Sequence, residues 1–377
     1  MTALPLFDPP LSTSNLVQPD RTVFLHYARA AHDGAPVVEW LETRLAAFHE
    51  AAHCIALCNG FWGLVLSIHA LAIPGRTDIL MPSLTYRRMA DVAAWARLRP
   101  RFCEVDRRTL ACTAATMQAA LVPEIGLLLA VHPIVNQCDV SGLVALAAEQ
   151  GLPLLFDSVE SVFEHVPGGK VGGFGDAECF SLHASKLLNG FEGGYVTTND
   201  PALARRLGTL RDGSAADGMD ARLNRFHAAM ALASLDGLDN QVGRNRARYA
   251  AYQRALAGLP GLRLLPFEDS PHASCKTIVA ELLPSWPLSR TETLARLNAA
   301  QVLARAYYHP PLHMKPMAYP HVPASLPITE RLSEAFIVLP CGHHVGLDDI
   351  EAVVGLLAEW AGSGRGTTAW APGEARA

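Results

Sequence analysis

The sequence predicts an α/β protein whose central sheet is mostly parallel, and three observations support this. Short apolar runs alternate along the chain with segments of helical periodicity, the arrangement that builds a parallel sheet. The run at residues 125–133 is strongly apolar, as expected of a strand covered on both faces. Turn residues such as Asn59-Gly60 separate a run from the helix that follows it.

A chain of 377 residues is long enough for more than one domain. Residues 1–20 are rich in Pro, Ser, Thr and Asn and are expected to form an extended arm. We predict a large domain over residues 21–240 and a smaller C-terminal α/β domain over residues 241–362. The Gly, Thr, Ala and Pro residues of 363–377 indicate a disordered tail.

Spacing and turn residues give most of the individual elements. Residues 37–53 have apolar positions at helical spacing, and Leu294 and Leu297 give the same pattern to residues 289–300. Residues 205–213 are predicted to be a connecting segment. Strands are predicted at 54–58, 79–82, 101–106, 125–133, 153–157, 179–182, 262–265 and 275–282, with helices also at 61–72, 140–150, 228–235 and 242–256.

Composition excludes several classes of protein. The net charge of -5 is mild and the basic residues are scattered, which argues against nucleic-acid binding. Polar residues and glycines interrupt the longest apolar stretch, residues 55–73, so we predict no membrane span. Eight single cysteines and the lack of a basic-then-apolar start favour a reduced, cytoplasmic protein.

A carboxylate and a lysine each follow a strand-like run. Asp157 ends the run at 153–157, and Lys186 follows the run at 179–182. Ligands of open α/β sheets sit outside the carboxyl ends of the strands. Lysine is scarce here, since the chain has only four. An amine held against apolar surface becomes a usable nucleophile, and pyridoxal phosphate needs a lysine for its aldehyde and a carboxylate for its ring nitrogen.

Two further patterns have weaker chemical meaning. His49-Glu50-Ala51-Ala52-His53 matches the zinc-binding pattern H-E-x-x-H, but it lies where a helix runs into a strand and no third ligand is evident, so we predict no metal. The turn Asn59-Gly60 between a strand and a helix can present free N–H groups to a phosphate.

Four segments together resemble the DegT-type sugar aminotransferases, pyridoxal-phosphate (PLP) enzymes of the aspartate aminotransferase fold, and the resemblance runs from Trp40 to about Trp360. It implies PLP fold type I, in which a large domain with a mostly parallel seven-stranded sheet flanked by helices is joined to a smaller C-terminal α/β domain. It also implies a strand at 337–342 and a helix at 347–360. The four segments are residues 157–160, 172–176, 180–186 and 192–194.

The resemblance also implies roles at the cofactor. Lys186 carries the aldehyde and moves protons, while Asp157 pairs with the ring nitrogen. Glu160 stands where the family has Gln or His, so it must be protonated, turned away or paired with an arginine. Ser181 and the backbone at Gly60, Phe61 and Trp62 hold the phosphate, with Phe61 replacing a threonine, and Tyr86 stacks on the ring.

Other residues are implied on the substrate side. Arg87 and Arg88 replace small residues of the family and either reach an anionic substrate or are solvated. Tyr308 and His313 lie in the segment that closes over the sugar. Arg222 matches a polar residue that crosses a dimer interface toward the neighbour's cofactor phosphate. His183 fits the family pattern, but a lone histidine between apolar residues favours a core position.

The function predicted from the sequence is therefore PLP-dependent amino transfer in a homodimer with shared active sites. Glutamate or glutamine gives its amino group to the cofactor (PLP becoming PMP), which passes it to a keto sugar that we expect to be nucleotide-linked. Three alternatives stay open at this point. They are amination of a keto cyclitol, a catalytically silent PLP-binding regulator suggested by the departures at Phe61, Glu160 and Arg87, and a zinc hydrolase built on His49 and His53.

Overall fold

The computed structural model describes residues 21–32, 36–268 and 272–363. The predicted arm at 1–20 lies outside these residues, as does all of the predicted tail except Ser363, which ends the last helix. Within the described part of the chain, no helix is long and apolar enough to cross a membrane.

A seven-stranded sheet forms the centre of the molecule, in the spatial order β1-β9-β8-β5-β4-β2-β3. Only β9 runs against its neighbours, so the sheet is mostly parallel, as predicted. Every residue of β4 is buried, as expected for a strand with both faces covered. The strands are β1 (His53–Leu57), β2 (Asp78–Pro82), β3 (Arg99–Cys103), β4 (Ile125–Val131), β5 (Leu154–Asp157), β8 (Ala177–Ser181) and β9 (Gly194–Thr198), with a separate hairpin of β6 (His165–Val166) and β7 (Gly169–Lys170).

Helices flank this sheet, and their ends follow local side-chain signals. The predicted helix at 140–150 forms over the same residues, because the Asp139 side chain accepts from the Gly142 amide and Gly151 adopts a left-handed φ of 59° at the other end. The helices are α1 (Arg21–His32), α2 (Val37–His49), α3 (Gly60–Leu71), α4 (Met89–Trp95), α5 (Ala114–Gln118), α6 (Val140–Gln150), α7 (Pro201–Arg211), α8 (Arg225–Asp236) and α9 (Leu238–Ala255).

Two of the predicted elements were wrong. The segment at 205–213 is not a connection, since α7 covers most of it; Asp200 caps this helix and Pro201 opens it. The helix predicted to reach residue 53 ends at His49, because Glu50 turns into the left-handed region with a φ of 56°.

A second, four-stranded antiparallel sheet lies near the C-terminus, in the order β10-β11-β13-β12. It shares a core with α9 and the last helix. The predicted domain boundary at residues 240 and 241 falls within α9 and stays a prediction. The elements are β10 (Leu262–Leu264), β11 (Ile278–Leu282), α10 (Arg290–Ala299), β12 (Arg305–Ala306), α11 (Pro327–Ser333), β13 (Phe336–Leu339) and α12 (Leu347–Ser363), with one turn of 3-10 helix at Leu312–Met314.

Candidate active site

Four connections leave the same edge of the large sheet. Strands β1, β2, β5 and β8 run in one direction, so their carboxyl ends share an edge, where ligands of such sheets bind. The connections carry most of the residues singled out above. They begin with Asn59-Gly60 after β1, Ser83 to Tyr86 after β2, Asp157 to Glu160 after β5, and Ser181 to Lys186 after β8.

The loop that carries Lys186 joins two antiparallel strands, β8 and β9, and is held by its own backbone. The Leu182 amide donates to the Gly193 carbonyl at 2.9 Å, and the Ala184 amide donates to the Phe191 carbonyl at 2.8 Å. The Lys186 amide donates to the His183 carbonyl at 2.8 Å. These bonds fix the backbone from which the lysine side chain extends.

His183 in this loop is exposed, so the expectation that it is a core histidine was wrong. Its Nδ1 lies 2.9 Å from the Ser185 hydroxyl, and its Nε2 lies 3.8 Å from a Glu192 oxygen. The apolar neighbours that suggested burial point the other way, because Leu182 faces the core while His183 faces solvent.

Glu160 is bound by two lysines. Lys186 Nζ donates to Oε1 at 2.5 Å and Lys276 Nζ donates to Oε2 at 3.1 Å. The Glu160 side chain is only 13% exposed. Burial on its own raises the pKa of this carboxyl, but the two ammonium groups outweigh burial and hold the pKa below its ordinary value. Glu160 is therefore ionised and paired with two lysines, which differs from all three of the predicted alternatives, a protonated acid, an acid turned away and an acid paired with an arginine.

Asp157 is buried at the end of β5 and has a different environment. Burial raises the pKa of its carboxyl to about 6, although a hydrogen bond from the Val159 amide and the charge of Lys186 act against burial. Oδ1 accepts from that amide at 3.1 Å. Asp157 forms no ion pair with any residue that the structure describes. A buried acid of this kind fits a cationic N–H donor such as a protonated pyridine nitrogen.

The first turn of α3 forms the other end of the site. Gly60 packs so closely on β8 that a Cβ would lie 3.0 Å from the Phe180 carbonyl oxygen and 3.2 Å from the Ser181 Cβ. The Asn59 side chain caps the helix by accepting from the Trp62 amide at 2.9 Å, so this amide is not free to bind a phosphate and its predicted role was wrong. Ser181 is half-buried and its Oγ accepts from the His183 amide, which leaves the hydroxyl hydrogen available.

Tyr86 and Tyr308 are the two tyrosines that the sequence assigned to the site. Tyr86 is 40% exposed in the loop after β2. The Tyr308 phenol has a pKa raised by burial and further raised by the charges of Glu160 and Asp157, so both carboxylates act on it electrostatically. Tyr86 raises that pKa as well, so the two phenols also influence each other electrostatically.

Arg87 and Arg88 have different surroundings. The Arg88 guanidinium lies 4.4 Å from the centre of the Phe61 ring and bonds Asp91 at 3.2 Å. Arg87 is exposed and makes no ion pair within the described chain. Burial lowers the pKa of Lys315, and the charge of Arg87 lowers it further, so these two cations lie near each other.

His313 is held by the protein on both sides. Its Nδ1 lies 2.7 Å from the Ser83 hydroxyl, and its Nε2 lies 3.1 Å from a Glu330 oxygen. With both nitrogens bonded and the side chain 3% exposed, the ring has no group to offer a substrate. It ties the C-terminal part of the chain to the loop that ends in Tyr86.

Arg222 is exposed and pairs with Asp220, with Nε and Nη2 at 2.8 and 3.1 Å from the two carboxylate oxygens. It forms an isolated bridge to Leu57, the last residue of β1. The arginine is therefore adjacent to the turn at Asn59 and Gly60.

The H-E-x-x-H pattern is not a metal site. The buried His49 lies 2.6 Å from the Val171 carbonyl and 2.9 Å from the Tyr195 hydroxyl, and burial lowers its pKa to about 3. The described residues contain no group of three His, Cys, Asp or Glu side chains that could hold a metal ion.

Sequence reasoning missed Lys276. This buried lysine lies two residues before β11, a strand of the second sheet. It is far from Glu160 along the chain, and folding brings the two together. The available signal was a lysine inside an otherwise apolar run, because buried lysines are rare unless they are paired.

The site combines the Lys186 amine, the ionised Glu160 and the buried Asp157, which has no ion pair within the described chain. A lysine and a buried acid at the carboxyl edge of a mostly parallel sheet are typical of α/β enzymes that use a lysine and a pyridine cofactor. Comparison with known proteins narrows the class. The model of the DegT/DnrJ/EryC1/StrS aminotransferase family matches residues 28–358, so the chain belongs to that family and is an aminotransferase, as the resemblance predicted.

Relatives and solved structures agree with this assignment. The chain is 29% identical over 344 residues, 86% of this chain and 87% of the relative, to the dTDP-3-amino-3,4,6-trideoxy-alpha-D-glucose transaminase of Streptomyces venezuelae. It is also 29% identical over 347 residues to the erythromycin biosynthesis sensory transduction protein EryC1 of Saccharopolyspora erythraea, covering 85% and 89% of the two chains. The structure of DesI in the presence of its TDP-sugar product superposes with a TM-score of 0.88 at 33% identity, covering 96% of this chain and 95% of that one.

Proposed function

We propose that the protein transfers an amino group from glutamate or glutamine to a keto sugar linked to a nucleotide, with pyridoxal 5'-phosphate as cofactor. One observation carries the proposal. Lys186 follows β8 and Asp157 ends the neighbouring parallel strand β5, and the buried Asp157 has no ion-pair partner among the described residues. The similarity to a dTDP-sugar transaminase and to a structure that contains a TDP-sugar product supports the substrate class.

The residues present fit the cofactor. When bound, it supplies an electron-withdrawing ring that stabilises the negative charge developing at the substrate carbon. Asp157 would hold the ring nitrogen in its protonated form. Ser181 and the backbone of Gly60 and Phe61, at the N-terminus of α3, would hold the phosphate. Tyr86 would cover the ring face.

Lys186 has two tasks in this proposal. With the cofactor bound, Lys186 would hold its aldehyde end between turnovers, and the amine would then move a proton between the substrate carbon and the cofactor carbon. Both tasks need the uncharged amine, while Glu160 stabilises the ammonium form. Glu160 therefore holds the Lys186 side chain in place, and the more strongly it stabilises the ammonium form, the less readily Lys186 reacts.

We assign the binding of the substrate's nucleotide to two cations that lie near each other, Arg87 and Lys315. Arg87, which lacks an ion pair in the described chain, and the neighbouring Lys315 can pair with the diphosphate of a nucleotide sugar. Tyr308 can donate to a sugar hydroxyl. Arg88 is committed to Phe61 and Asp91, so we assign it a supporting role.

We also propose a homodimer in which Arg222 reaches the neighbour's site. Its exposure next to the phosphate turn supports this arrangement. Mixing a Lys186→Ala variant with an Arg222→Ala variant should restore activity, because a hybrid dimer contains one site with both residues intact. If mixing restores nothing while the hybrid forms, Arg222 acts within its own subunit.

The function is tested by adding glutamate or glutamine to the purified protein with pyridoxal phosphate. The visible absorbance of the lysine-bound cofactor should fall and 2-oxo acid should appear, while Lys186→Arg should give neither. Incubating the protein with 2-oxoglutarate and a panel of nucleotide-linked amino sugars and amino cyclitols then identifies the substrate class. Turnover of the cyclitols alone would overturn the sugar assignment.

A second candidate function is that of a regulator that binds the cofactor without turnover. It is favoured by the similarity to a protein named for sensory transduction and by the unusual Phe61 and Glu160. A spectrum that shows bound cofactor but responds to no amino donor would favour this candidate.

A further inference from the structure

The Glu160 carboxylate connects two parts of the fold. Lys186 reaches one oxygen at 2.5 Å from the loop after β8, and Lys276 reaches the other at 3.1 Å from the residues that lead into β11. A single carboxylate thus serves two ammonium groups. Lys276 itself has no role in the amino transfer proposed for Lys186, Asp157 and Glu160.

Lys276 and Glu160 are both largely buried, so solvent screens the interaction between their charges only weakly. The side chains of Lys276 and Glu160 are 9% and 13% exposed. Burial lowers the pKa of Lys276, the charge of Glu160 raises it and the charge of Lys186 lowers it again. Lys186 is therefore close enough to disfavour the charge of Lys276, and the two lysines share one acid.

Within the described chain, other charged and titratable groups act on the pair, and the buried Cys341 thiol, whose pKa the charge of Lys276 lowers, is one of them. Asp157 acts on Lys186 from the end of β5, and Arg305 acts on Lys276 from β12. The phenols of Tyr307 and Tyr308 face Glu160. Lys276 is the residue among these that binds the same carboxylate as Lys186.

We propose that Lys276 is a positioning residue for amino transfer: by binding one oxygen of Glu160, it weakens the hold of that acid on Lys186 and so frees the Lys186 amine to react. A carboxylate with no other partner stabilises a lysine in its ammonium form, which can neither attack a carbonyl carbon nor accept a proton. A second ammonium on the far oxygen offsets this effect. The inference rests on the proposed function, since it concerns the same lysine.

The test measures Lys186 itself. The rate at which acetic anhydride labels Lys186 is followed against pH by peptide mass spectrometry, in protein from which the cofactor has been removed. Lys276→Met should raise the midpoint of labelling by about one pH unit. At neutral pH this shift makes labelling about tenfold slower. Glu160→Gln should lower the midpoint, and Lys276→Arg, which keeps the cation, should restore the native value.

Two controls separate this role from a purely structural one. Lys170→Met removes a lysine that packs over Phe48, away from Glu160, and should leave the Lys186 midpoint unchanged. Adding Lys276→Met to Glu160→Gln should give a much smaller shift than Lys276→Met alone, because the carboxylate transmits the effect.

The outcomes decide the proposal. A folded Lys276→Met protein with the native Lys186 midpoint overturns it. If that variant does not fold, Glu160→Gln decides, since an unchanged midpoint there also overturns it. Labelling needs no turnover, so shifted midpoints in a protein without transaminase activity would refute the proposed function and leave the link between Lys276 and Lys186 standing.

Discussion

The guanidinium of Arg88 lies 4.4 Å from the centre of the Phe61 ring. Both residues depart from the pattern the chain resembles, with Phe61 in place of a threonine and Arg88 in place of a small residue. In the structure they pack on each other, and Arg88 also bonds Asp91, which accepts from the Tyr319 hydroxyl at 2.7 Å. The two departures therefore form one contact that holds the first turn of α3 against α4.

Replacing Arg88 tests this contact. Arg88→Ala should lower the free energy of unfolding by about 0.5–1 kcal/mol, the usual size of an exposed cation–π contact. The measurement is urea unfolding of Arg88→Ala, Phe61→Leu and the double variant. Arg87→Ala is the matched control and should raise the KM for the nucleotide sugar without changing stability. Additive single effects would show that Arg88 and Phe61 do not interact.

Replacing Gly60 should disturb the phosphate end of the site. A Cβ at this position would meet backbone and Cβ atoms of Phe180 and Ser181, which cannot rotate away. Gly60→Ala should cost about 1–3 kcal/mol of stability, as overpacking usually does, and should weaken cofactor binding. Gly208→Ala is the control because its Cβ meets nothing within 4 Å in α7, and it should be stabilising. Tight cofactor binding by Gly60→Ala would contradict this packing.

Asp157 should make the cofactor-free protein less stable as pH rises. The pKa of this acid is raised from 3.8 to about 6 by burial, so the folded protein holds its proton more tightly than the unfolded chain does. Stability is therefore lost as pH rises from about 4 to 6, by roughly 2–3 kcal/mol. Asp157→Asn should remove this loss while abolishing amino transfer. Urea unfolding at pH 4 and pH 7, compared between the two proteins, measures it.

His132 should have the opposite effect on the pH profile. It stacks on Phe156 and burial lowers its pKa to about 3, so the folded protein keeps it neutral. The unfolded chain takes up the proton below about pH 6.5, so stability falls as the solution is acidified. When the pH is lowered from 7 to 5, the free energy of unfolding of His132→Phe should fall by about 2 kcal/mol less than that of the native protein. Parallel profiles for the two proteins would contradict this.

The sequence predicted the parts of the site that depend on local order along the chain. Asp157 and Lys186 each follow an apolar strand, and parallel strands bring their carboxyl ends to one edge, so both positions followed from the pattern. The helix α6 was predicted to the residue because Asp139 and Gly151 mark its two ends.

The parts that depend on distant partners did not follow from the pattern. Lys276, the second partner of Glu160, lies 116 residues away from it, and nothing in the sequence around Lys276 says which acid it meets. The fate of the Trp62 amide depended on the rotamer of Asn59, which the turn sequence does not state. In α7, by contrast, the signal was present at Asp200 and Pro201 and was overlooked.

The reversed direction of β9 has a consequence for how this region assembles. Twelve residues, 182–193, separate it from β8, the shortest gap between any two paired strands of the large sheet. Closing a short loop costs less chain entropy than closing a long one, and local pairs form faster than distant ones. We therefore expect the hairpin around Lys186 to gain hydrogen-exchange protection early in refolding, before the strand that supplies Asp157 has docked beside it.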